Sequence, residues 1–121
     1  FHGSADDAEL QYSEGSDVTM AALGFTLPEA AEMKSRLRDE GKRTALFAIN
    51  PVWPHKWPRL LNAAARSRRL IVLDDSKGAS SLAHKVASSV LRVAPECYVT
   101  LHTREDDHEF AVHADRFVVA A

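Results

Sequence analysis

The sequence predicts an α/β fold: three layers, α/β/α, around a mostly parallel sheet of about five strands with one antiparallel edge strand. Three observations carry that reading. Short runs of strand length alternate three times with amphipathic segments of helical period. Those runs are apolar almost throughout, the pattern of strands covered on both faces. The connections between them are too long for hairpins, so each strand crosses over, right-handed, to a parallel neighbour.

Glu9 to Ser13 reads as a short edge strand that turns through Glu14-Gly15-Ser16 into the apolar run Asp17 to Leu23. Gly24-Phe25 leads to Thr26, a good N-cap residue, with Glu29 three positions on to complete a capping box. Leu27, Ala30, Met33 and Leu37 share one helical arc, while Glu29, Glu32, Arg36 and Asp39 face away. Gly41 ends that helix in the left-handed position. Thr44 to Ile49 is the next buried strand, and Pro51 to Trp57 a stiff loop with three prolines when Pro58 is included. Pro58 suits the first turn of a helix running to about Arg66. Leu70 to Leu73 is a third buried strand, closed by Asp74-Asp75-Ser76-Lys77-Gly78. Ser80 or Ser81 caps a helix to Ala94 whose apolar arc gathers Leu82, Val86, Val90, Leu91 and Val93. Cys97 to Leu101 and Phe117 to Val119 are two further strands.

With 121 residues the chain suits one domain, assigned to residues 9–121, and residues 1–8 read as an interdomain linker or cloning remnant. Apolar residues make up 45% and charged residues 26%, a globular balance. A net charge of −2 leaves no broad cationic surface for nucleic acid or anionic lipid, so neither is expected as a partner. Cys97 is the single cysteine, which fits a reducing cytoplasm. No apolar run approaches the roughly 20 residues of a membrane span, and nothing resembles a signal peptide.

Complete catalytic motifs are missing. The turn Gly24-Phe25-Thr26-Leu27-Pro28 has one glycine where a dinucleotide fold needs several, and there is no P-loop and no Gly-x-Ser-x-Gly elbow. Asp74-Asp75 is similar to the acidic magnesium pockets of phospho-acceptor domains, but the neighbouring strand ends offer Gly24 and Asn50 instead of a third aspartate and a lysine. His108-Glu109-Phe110-Ala111-Val112-His113 nearly matches the zinc-protease helix motif, yet its histidines are five apart and turn away from each other. A solvated loop between the last strands is the plainer reading of that segment. His84 has no carboxylate or nucleophile beside it in sequence, and Cys97 opens an apolar strand, where a thiol behaves as a small hydrophobe. Trp53 and Trp57 have two readings: rings folded back over a helix, or rigid aromatics at an interface. The proline-stiffened loop, leaving the carboxyl end of a strand, favours an outward, partner-facing surface.

The order of pieces resembles a known family. Glu14-Gly15-Ser16-Asp17-Val18-Thr19-Met20-Ala21-Ala22-Leu23-Gly24 is similar to the start of the C-terminal domain of transketolase-like enzymes, with the β subunit of 2-oxo acid dehydrogenase E1 closest in look. There a Gly-x-Asp-Val-Thr run leads through an apolar strand to glycine. Glu40-Gly41 matches a helix end, Pro54 a proline-bearing loop, and Leu70-Ile71-Val72-Leu73-Asp74-Asp75 with Gly78-Ala79-Ser80 the acidic strand end and its turn. The resemblance runs from Glu9 to Pro95. Ala48-Ile49-Asn50 stands where many relatives have Asp-Leu-Arg, and Gly78-Ala79 where they often pair glycines; a divergent member is implied, without a substrate.

That resemblance implies an assembly domain or small subunit, not catalytic alone, of an enzyme that holds thiamine diphosphate and magnesium between two other domains. Its partners would be the remaining domains or subunits, in a homo- or hetero-oligomer. The chain lacks the Gly-Asp-Gly motif followed by asparagine that holds the diphosphate metal, and the glutamate that activates the thiazolium ring; no catalytic, cofactor-binding or metal residue is expected. The interface candidates are Trp53, Trp57, Asp74, Asp75, Lys77 and Gly78. The alternative is a free-standing small-molecule or metal-binding module that uses the turn from Asp74 to Ala79 or the histidine-rich tail.

Overall fold

The computed structural model describes residues 9–49, 57–75, 81–103, 109–113 and 116–120. In chain order they form β1 (Glu9–Ser13), β2 (Val18–Ala22), α1 (Leu27–Asp39), β3 (Thr44–Ile49), α2 (Pro58–Ser67), β4 (Arg69–Asp74), α3 (Ser81–Val93), β5 (Tyr98–Thr103), β6 (Glu109–His113) and β7 (Arg116–Ala120). The strands make one sheet in the order β1-β3-β2-β4-β5-β6-β7. β3, β2, β4 and β5 run parallel, and β1 pairs antiparallel with β3 at one edge. The expected three-layer mixed fold is therefore present.

Strand alternation builds two cores, because successive side chains leave a strand on opposite faces. Val18, Met20 and Ala22 of β2, Leu46 of β3, and Ile71 and Leu73 of β4 pack with Ala30 and Leu37 of α1. Ala21, Ala45, Phe47, Ile49, Leu70 and Val72 face the other way, into a larger core shared with α2 and α3. The β1 register shifts between Gln11 and Ser13. The Ser13 hydroxyl covers that irregularity by donating to Thr44 O (2.8 Å) and accepting from Leu46 N (3.2 Å).

Several local expectations change. Thr26 occupies the N-cap of α1, but its hydroxyl makes no cap bond. It points instead at the carbonyls of Leu23 (2.8 Å) and Leu73 (3.2 Å), acceptors at the ends of two adjoining strands. On α3 the buried stripe is Ala83, Val86, Ala87, Val90 and Leu91, continued by Ala94 just past its end, while Val93 is 58% exposed. Alanines let the helix lie close to the sheet, so the arc centres on small residues and excludes Val93. Beyond β5 the sheet adds two antiparallel strands: β7 contains the expected run Phe117 to Val119, and β6 is the strand that was not expected. The histidine-rich tail is accordingly not one solvated loop, and Glu109–His113 is extended, with no helical face to carry a zinc motif.

Candidate functional site

The carboxyl ends of β2 and β4 lie side by side, where ligands and neighbours of such sheets gather. Leu23 N donates to Leu73 O (2.9 Å), which carries the ladder one residue past the end of β2. Gly24 then turns the chain with φ +64°. A Cβ on Gly24 would approach the Asp75 carboxyl carbon to 2.7 Å, so only glycine allows the carboxylate to sit against this backbone. Asp75 Oδ2 accepts from Phe25 N at 3.1 Å. The consequence is an aromatic ring on a fixed backbone: Phe25 is 88% exposed.

Of the residues singled out in the sequence, Asp74 is buried at the end of β4 and Asp75 is half-buried beside it. The described partner of Asp75 is Phe25 N–H rather than the first turn of α3. Trp57 corrects the expectation of an outward ring. It is 2% exposed and belongs to the larger core with Phe47 and Leu60. The reason is Pro58, which starts α2 at once and holds the preceding residue against the sheet. Trp53, Lys77 and Gly78 lie outside the described residues. Phe25 was not among the expected site residues; a lone aromatic between glycine and threonine beyond a strand end was the available signal.

Among the described residues no three histidine, cysteine or carboxylate side chains converge on a point that would hold a metal ion. Cys97 is buried, and burial pushes its thiol from 9.0 up to about 11, helped by nearby Glu96 and opposed by a hydrogen bond from the Leu70 backbone. A thiol held neutral in this way is a packing group, not a nucleophile. The raised value also sets a pH dependence. The folded state holds the proton more tightly than the unfolded one, so this contribution is complete below pH 9 and lost as pH rises through about 11. The loss is expected to reach about 3 kcal/mol at most. Urea unfolding at pH 8 and pH 11, compared between the parent chain and Cys97→Ala, isolates it from other groups titrating in that range. Equal pH slopes in the two proteins would count against a buried thiol.

The arrangement at the β2 and β4 ends is aromatic-tipped, with the Asp75 carboxylate already engaged by the Phe25 backbone N–H. Comparison with known proteins agrees on the scale of the domain. The family model described as "Transketolase, C-terminal domain" matches residues 6–104. A solved structure described as "Split gene transketolase, inactive beta4 tetramer" is similar in fold, with a TM-score of 0.61 at 20% identity. The match covers 78% of this chain and 31% of that one.

Proposed function

We propose, from the premise that this chain belongs to the transketolase C-terminal domain family, that it is the assembly domain or small subunit of a thiamine diphosphate-dependent transketolase-like enzyme, of the 2-oxo acid dehydrogenase E1 β type. The observation that carries the reading is Phe25, an 88% exposed aromatic on a locked turn at the carboxyl edge of the sheet. An aromatic fixed before association loses little further entropy when a partner covers it. The likeness in fold to a protein described as a split-gene tetramer supports an oligomeric role.

The partners in this reading are the remaining domains or subunits of the parent enzyme. Thiamine diphosphate and magnesium belong to that parent. The described residues of this chain do not fit them, since among these no set of metal-ligating side chains converges. The single cysteine supports a cytoplasmic location, and no described helix is long and apolar enough to cross a membrane.

Association tests the proposal. Phe25→Ala is expected to weaken self-association or binding to the rest of the parent enzyme by about 2 kcal/mol, roughly 30-fold, in sedimentation equilibrium. Its melting temperature should stay close to that of the parent chain, because Phe25 is 88% exposed and buries little in the isolated domain. Asp75→Ala removes the acceptor for Phe25 N and should weaken association through the turn. If neither variant changes association, this edge is only a connector.

A further inference from the structure

A second surface lies away from that edge, beside the starts of β2 and β3. Arg59, Asn62 and Arg66 are spaced three and four apart on α2, so they share one stripe of the helix. Opposite them stand Gln11 of β1, Glu14 of the β1–β2 turn, and Arg43 just before β3. Together they line an open groove of about 670 Å³, within the range of small-molecule sites. Arg43, Arg59 and Arg66 line it beside one lining carboxylate, Glu14, and of the three only Arg59 is ion-paired among the described residues, with Glu9.

The walls are set in advance. Arg59 Nε donates to Glu9 Oε1 (3.2 Å) and its Nη2 to Glu9 O (3.1 Å), which fixes that side chain against the edge strand. Arg43 is held by its backbone: its N–H donates to Asp17 Oδ2 (2.8 Å), and its carbonyl accepts from Asp17 N (3.0 Å) and Val18 N (3.2 Å). Gly15 presses on the same segment so closely that a Cβ would stand 2.5 Å from Arg43 C. The side chains of Arg43 and Arg66 are exposed and make no hydrogen bond or ion pair among the described residues.

We propose that this groove binds a small molecule carrying two or more phosphate charges. Planar guanidinium forks match phosphate oxygens in pairs, and several of them around one cleft favour a multiply charged anion over a single carboxylate. The lining side chains are arginine, amide, carboxylate and the Ser16 hydroxyl, with Ala63 as the one apolar side chain, so neither stacking nor hydrophobic burial selects the ligand. Gln11 and Asn62 supply amide groups for the uncharged part of such a molecule.

Inorganic pyrophosphate is the probe, titrated into the full chain by calorimetry at fixed ionic strength, with amide shifts followed by NMR. The expected result is saturable one-site binding that shifts Gly15, Asn62 and Arg66. Arg43→Ala and Arg66→Ala should each weaken it by about tenfold, with Arg66→Lys losing less because it keeps the charge without the fork. Arg92→Ala, on α3, serves as the control and should bind normally. All three positions are exposed, and thermal melts establish that the variants fold. Absence of saturable binding, unchanged affinity in Arg43→Ala and Arg66→Ala, or loss of binding in Arg92→Ala overturns the proposal. So does hexaglutamate binding as tightly as pyrophosphate, which would make the groove a reader of charge rather than of phosphate.

Discussion

Trp57→Ala is expected to cost the isolated domain about 3–5 kcal/mol of unfolding free energy, the range for deleting a buried aromatic from a packed core. The indole is 2% exposed and shares its cluster with Phe47, Leu60, Val86 and Val90, which come from one strand and two helices. Removing it therefore loosens α2 and α3 on the sheet together, not one local contact. Its outer edge adjoins a groove of about 350 Å³ lined by His84, Lys85, Ser88, Ser89 and Arg92. Water can enter the vacated volume from that side, which places the expected loss near the lower end of the range. Trp57→Phe keeps most of the apolar volume and should lose roughly 1–2 kcal/mol. Urea unfolding decides it, read as a change in midpoint at constant slope. A loss below about 1 kcal/mol for the alanine variant, accompanied by weakened association, would restore the partner-facing reading of this residue.

Tryptophan 57 marks where the sequence was readable and where it was not. The strands β2, β3 and β4 announced themselves because each is buried on both faces, so no alternation competes with the apolar run. Gly41, with φ +81°, was legible as a helix end because few other residues tolerate that backbone. The failures share a cause: the deciding partner was distant or of an unremarkable type. Thr26 sits at a cap position, yet the Leu73 carbonyl that competes for its hydroxyl is 47 residues away. Val93 outranks alanine in hydrophobicity, while packing distance selected Ala83 and Ala87 for the interface. β6 is five residues long with polar ends, too short to stand out from a loop before its pairing with β5 is known. In the candidate site, Gly24 and Asp75 were visible as strand-end residues. Their mutual fit, and the exposure it imposes on Phe25, needed the two strands to be neighbours.

Glu9→Ala is expected to be nearly as damaging, at about 2–4 kcal/mol, although it changes a residue of the polar edge strand. The reason lies at the start of α2. The residue at its N-cap is Trp57, which has no side-chain oxygen to receive the first N–H groups. Pro58 has no N–H to satisfy, and Leu61 N already donates to Trp57 O at 2.9 Å. The two remaining donors, Arg59 N (2.8 Å) and Leu60 N (2.9 Å), both go to the Glu9 carboxylate, one to each oxygen. Glu9 is 3% exposed, so water does not reach its side chain to take over the role when it is removed. A carboxylate here also meets the positive end of the helix and the Arg59 guanidinium. Glu9→Gln keeps one acceptor oxygen and the shape, and should lose about half as much. The readout is urea unfolding together with hydrogen exchange at the Leu60 amide, which should accelerate by more than global destabilisation explains. A stability loss under about 0.5 kcal/mol, with Leu60 exchange unchanged, would mean that β1 contributes only its backbone pairing and that α2 starts without it.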